Sequence, residues 1–202
     1  NVTLPPGKKL YIIMDASGSM LEQMNGKPKF EIAREAMITL INELPANAQV
    51  ALRAYGYRLR AIEQGANEDS KLLVTMKPLG DKAEVMEILN GLRARGKTPL
   101  AYSLEQALGE VRGGTEDTPV TVLLLTDGGE DTQPRRDPVA AAAKYADLEH
   151  TRFRIVGFDI NREDWSQQLR AMAEAGHGQY LPASQAESLV RELRTAVFET
   201  PD

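Results

Sequence analysis

Lys9-Leu10-Tyr11-Ile12-Ile13-Met14-Asp15-Ala16-Ser17-Gly18-Ser19-Met20 decides the fold. Leu10 to Met14 is an apolar run of strand length, and it leads directly into Asp15, Ser17 and Ser19. Gly18, between the two hydroxyl residues, lets the backbone turn tightly. A loop that offers one carboxylate and two hydroxyls at alternating positions can point all three into one small volume, and hard divalent cations take oxygen ligands. The stretch therefore reads as a buried strand that ends in half of a metal site.

Val120-Thr121-Val122-Leu123-Leu124-Leu125-Thr126-Asp127-Gly128-Gly129 repeats the arrangement of an apolar strand, an aspartate and a glycine turn. In an open parallel sheet, ligands bind beyond the carboxyl ends of the strands, where the strand order reverses. Asp15 and Asp127 are therefore expected to face one crevice. Between them in the chain, Gly96-Lys97-Thr98-Pro99-Leu100 sets a third hydroxyl just before a helix.

Asp15, Ser17 and Ser19, then Thr98, then Asp127 resemble the metal-ion-dependent adhesion site of the von Willebrand factor type A domain family, and the resemblance covers nearly the whole chain. It implies a doubly wound, Rossmann-like α/β fold: a mostly parallel six-stranded sheet in the order 3-2-1-4-5-6, with one antiparallel edge strand and helices on both faces. It further implies that these five residues hold Mg2+, or Mn2+ or Ca2+, directly or through water, leaving a coordination position for an Asp or Glu of a protein partner. Met20, Glu22, Tyr57, Arg58, Gly129, Glu130, Asp131 and Asp159 follow strand ends or metal loops and are expected to ring that opening.

Along the chain, Ala33, Ala36, Met37, Leu40, Ile41 and Leu44 form a helical stripe over 29–44, closed by Pro45. Strands are expected at 49–56 and 71–77, and the stretch between them has no helical period to supply a parallel crossover, so the second is read as antiparallel. Capping boxes at Asp81/Glu84 and Ser184/Glu187 predict two helix starts. Thr98-Pro99 opens a helix that ends near Gly113. Asp137-Pro138 starts an alanine-rich helix, 152–158 reads as a strand, Gly176 stops a helix begun near Trp165, and 178–181 is a last short strand.

Length suits one α/β domain over 9–199, with residues 1–8, including Leu4-Pro5-Pro6-Gly7, read as a linker from a larger protein. The net charge is −5 and the basic residues are scattered, which excludes an electrostatic footprint for nucleic acid. No apolar run reaches the length of a membrane span. With no cysteine, thiol and disulfide chemistry are excluded. Tyr55-Gly56-Tyr57-Arg58 and Val156-Gly157-Phe158-Asp159 look like bacterial members of the family, often exported, so a periplasmic or extracellular location is expected. A cytoplasmic accessory subunit of an AAA ATPase or chelatase is the alternative.

Two enzymatic readings compete. Gly91-Leu92-Arg93-Ala94-Arg95-Gly96-Lys97-Thr98 matches the P-loop pattern, but a P-loop follows a strand, and Gly91 ends the helix that begins near Asp81. Nucleophilic catalysis lacks a Gly-x-Ser-x-Gly elbow at Ser17, and His150 and His177 read as surface turn residues. The reading is of a binding module, not an enzyme.

Overall fold

The computed structural model describes residues 7–198. Most of the expected linker and the last expected domain residue, 199, lie outside them. The chain runs β1 (Lys9–Asp15), a two-residue hairpin β2 (Gln23–Met24) and β3 (Lys27–Pro28), α1 (Lys29–Glu43), β4 (Gln49–Tyr55) and β5 (Ser70–Pro78). It continues with α2 (Ala83–Gly91), α3 (Leu100–Leu108), β6 (Val120–Thr126), α4 (Pro138–Ala143), β7 (Thr151–Phe158), α5 (Glu163–Ala175), β8 (Gln179–Ala183) and α6 (Ala186–Phe198).

Six strands form one sheet in the order β5-β4-β1-β6-β7-β8, parallel throughout except for the antiparallel edge strand β5. This is the expected order, with the small hairpin standing apart. β1 is flanked on both edges and covered on both faces, which is why it carries an unbroken apolar run. Leu10, Ile12 and Met14 point into a core shared with α1, α2 and α6, while Tyr11 and Ile13 point into the opposite core under α3, α4 and α5. β1 pairs with β6 so that Met14 faces Leu125, and the two strands end together.

Asp137 caps α4 as expected, its carboxylate accepting from the N–H groups of Val139 and Ala140, with Pro138 in the first turn. The two capping boxes do not form. The N-cap of α2 is Lys82 at φ 69°, and Asp81 accepts only from Ala83 N–H. Before α6, Ser188 Oγ takes the N–H groups of Ser184 and Gln185, leaving Ser184 no capping role. α3 stops at Leu108, short of Gly113. Gly91 closes α2, so no strand leads into the P-loop-like segment. His150 and His177 sit in exposed turns. Among the described residues no helix is long and apolar enough to cross a membrane.

Candidate metal centre

β1 delivers Asp15 fully buried at its carboxyl end, where three donors fix it. Oδ1 accepts from Ser17 N–H at 2.8 Å, and Oδ2 accepts from Thr126 Oγ1 at 2.8 Å and from Asp127 N–H at 3.2 Å. Residues Gly18–Leu21 form a 3-10 turn that sends Ser19 back over the site. Ser19 Oγ donates to Asp127 Oδ1 at 2.8 Å and lies 3.1 Å from Ser17 Oγ. The structure thus joins Asp15, Ser17, Ser19 and Asp127 in one hydrogen-bonded group.

Thr98 arrives on a loop clamped against the same turn. Gly18 N–H donates to Gly96 O at 2.8 Å, Gly96 N–H donates to Gly56 O at 2.6 Å, and Ser17 and Gly96 pair as an isolated parallel bridge. Thr98 is buried, and its N–H donates to Asp131 Oδ1 at 2.7 Å.

Asp127 differs from Asp15 in one respect. Its Oδ2 is buried and accepts no hydrogen bond. The nearest cation is Lys29 Nζ at 2.9 Å, an ionic contact without hydrogen-bond alignment. Burial and the neighbouring Asp15 charge push the Asp127 carboxyl up to about 7, against the pull of Lys29 and Ser19. For Lys29, burial opposes the charged form, but Asp127, Glu22 and Asp159 outweigh it and hold the ammonium above its ordinary range.

Asp15 and Asp127 bring two buried carboxylates together, with Lys29 as the one cation beside them. Among the described residues no group of three or more His, Cys, Asp or Glu is placed to hold a metal. Two carboxylates with neutral hydroxyls instead suit a hard ion that keeps some of its waters.

A family model described as the von Willebrand factor type A domain matches residues 10–130. The chain belongs to this family. The A domain is 27% identical over 180 residues to the uncharacterized protein YwmC of Bacillus subtilis (strain 168), covering 85% of this chain and 75% of that one. Its fold is similar to that of an aerotolerance-related membrane protein from Bacteroides fragilis NCTC 9343, with TM-score 0.71, 16% identity and coverage of 95% and 98%. A pilus adhesin, SpaC from Lactobacillus rhamnosus GG, gives TM-score 0.69 at 15% identity, covering 94% of the A domain and 30% of the adhesin.

The residues expected to ring the site divide by exposure. Glu22, Arg58 and Asp131 are exposed, and Tyr57 and Asp159 half-buried. Three rim expectations are corrected. Met20 is buried in the core because the 3-10 turn aims it inward, leaving its neighbour Leu21 exposed. Gly129 lies under Trp165, where a Cβ would meet Trp165 Cδ1 and come within 2.8 Å of Gln168 Oε1. Glu130, only 4% exposed, turns inward: Oε2 accepts from Ala101 N–H at 2.8 Å and Oε1 from Thr132 Oγ1.

Sequence reading missed Lys29 and Thr126. For Lys29 the available signal was a cation in the first turn of a helix, where the dipole disfavours it. For Thr126 it was a hydroxyl in the last position of an otherwise apolar strand.

Proposed function

We propose that this A domain is a protein-binding module whose partner presents an Asp or Glu side chain to a divalent cation, Mg2+ with Mn2+ or Ca2+ as substitutes, held by Asp15, Ser17, Ser19, Thr98 and Asp127. The hydrogen-bonded group that joins Asp15, Ser17, Ser19 and Asp127 at the ends of β1 and β6, with both carboxylates buried, supports this reading. A bound cation would supply an open coordination position for the partner's carboxylate. Asp15 is held rigid by its three donors, while Ser17, Ser19 and Thr98 contribute oxygen without charge. Such a donor set leaves net positive charge for an incoming anion, and it requires no bond to break. Domains of this family commonly serve protein interaction or adhesion.

Glu22, Arg58, Asp131, Tyr57 and Asp159, with exposed Leu21, supply the surface that selects the partner. The resemblance to a pilus adhesin and to a membrane protein supports a place at the cell envelope.

The test is thermal unfolding after chelation and then with Mg2+, Mn2+ or Ca2+, for the native chain and Asp15→Ala. A cation at 100 times its dissociation constant adds about 2.7 kcal/mol, or roughly 5–10 °C for a chain of this size. A rise that only the native chain shows supports the site. Selection of random peptides with and without Mg2+ then reads the partner, with Asp or Glu enriched only when Mg2+ is present. Absence of any cation response removes the reading.

A further inference from the structure

Lys29 opens α1, yet its side chain runs inward and only 2% of it is exposed. Neither helix formation nor apolar packing explains that placement, because a cation in the first turn opposes the helix dipole and a buried ammonium is costly unless paired. Three carboxylates from three separate loops explain it. Nζ lies 2.9 Å from Asp127 Oδ2, 3.5 Å from Glu22 Oε2 and 3.6 Å from Asp159 Oδ2.

The three contacts are unequal. Asp127 is buried and its Oδ2 has no aligned donor, whereas the side chains of Glu22 and Asp159 are 59% and 37% exposed. One ammonium is therefore shared between a candidate metal ligand and two carboxylates outside the donor set.

We propose that Lys29 is a tethered counter-cation of the metal centre: it pairs with Asp127 in the metal-free protein and competes with a divalent cation for the negative charge of that carboxylate. Glu22 and Asp159 are positioned to keep the ammonium paired when Asp127 is given up. This rests on the metal-binding reading above and adds to it a residue that sets affinity. Lys29 lets two aspartates stay buried side by side without metal, and it weakens the intrinsic hold on the cation. The same positive charge favours a partner's carboxylate, so tight metal binding is reserved for the ternary complex. Lys29 is a positioning residue here, not a ligand.

The experiment is calorimetric titration of Mg2+ alone into the metal-free native chain and into Lys29→Met, which keeps the length and loses the charge. Removing a positive charge 2.9 Å from a carboxylate that would hold the ion is expected to lower the Mg2+ dissociation constant by about tenfold or more. Should Lys29 only brace the fold, Lys29→Met unfolds at lower temperature but binds Mg2+ with the native constant, and that result overturns the proposal. Should neither chain bind Mg2+, the metal-binding reading fails as well, so the two failures are distinguishable. A measurement on the native chain covers the case in which Lys29→Met does not fold. The Lys29 Cε and Nζ resonances are expected to shift on Mg2+ addition as Asp127 is released, and resonances that stay fixed while Mg2+ binds overturn the proposal.

Discussion

The Tyr55 hydroxyl donates to Thr126 Oγ1 at 2.9 Å, tying the end of β4 to the end of β6 beneath the candidate metal centre. Thr126 passes the link on, donating its single hydroxyl hydrogen to Asp15 Oδ2 at 2.8 Å on β1, the strand between the other two. Both residues are fully buried. Asp15 is thus aimed by a relay across the three strands at the switch point.

Thr126→Val tests that relay with little change in shape. It leaves the Tyr55 hydroxyl without its acceptor and removes a donor from a buried carboxylate. Unsatisfied buried polar groups cost about 1–3 kcal/mol each, so the expected loss is roughly 2–4 kcal/mol. Chemical denaturation reads the loss. Weaker Mg2+ binding should accompany it, and a variant with native stability would show that the relay carries no weight.

Asp127 gives the metal-free protein a pH dependence whose sign follows from its raised pKa. Unfolded, it titrates near the ordinary value of 3.8; folded, burial and the Asp15 charge push it up to about 7. Between those values the folded chain holds a proton that the unfolded chain has lost, and above them Lys29 balances the ionised carboxylate. Stability from this group is therefore greatest at the acid end of the window and declines as pH rises through about 7. Metal-free protein should melt higher at pH 5 than at pH 8, and Asp127→Asn should flatten the difference. Mg2+ should stabilise strongly at pH 8 and weakly at pH 5, because it competes with that proton. Identical pH profiles for the native chain and Asp127→Asn would contradict the assignment.

Gly56 controls how closely the Thr98 loop approaches. It has φ +76°, and a Cβ there would strike Lys97 O and come within 2.9 Å of Ser17 Cα. Both obstacles are backbone, so no side chain can swing aside. Gly56→Ala is expected to cost about 2 kcal/mol or more from the left-handed strain and the clash combined. Circular dichroism melts should show the loss. The Mg2+ response should fall with it, since the collision falls between Ser17 and the segment that carries Thr98.

The sheet and half of the site were legible because each is encoded locally. β1 and β6 are continuous apolar runs, as strands covered on both faces must be, and Asp15 and Asp127 mark where those runs stop. The 3.6-residue stripe of α1 and the Asp-Pro start of α4 are equally local signals. Lys29 offered only one local signal, a cation in a first helical turn, and its role depends on loops far apart in sequence that bring Glu22, Asp127 and Asp159 to it. Met20 and Glu130 were misplaced for the opposite reason. Both follow strand ends and read as surface, but a 3-10 turn carries one into the core and the start of α3 draws the other inward. The two capping boxes failed because Asp81 and Ser188 offered the backbone competing local bonds.

Glu130 supplies a test that separates surface from scaffold. Its carboxylate accepts from Ala101 N–H in the first turn of α3, where the helix dipole favours negative charge, and it also takes the Thr132 hydroxyl. Burial raises its pKa while those donors pull it back. Glu130→Ala strands the Ala101 N–H and the Thr132 hydroxyl and opens a gap between the β6 loop and α3. Loss of such a charge-assisted cap costs about 2 kcal/mol, which lowers the melting temperature by roughly 4–8 °C in a chain of this size. A residue that only touched a partner would leave the melting temperature unchanged and reduce capture alone. A lowered melting temperature in the isolated domain therefore assigns Glu130 to the scaffold that carries Thr98 to the site, and an unchanged one returns it to the binding surface.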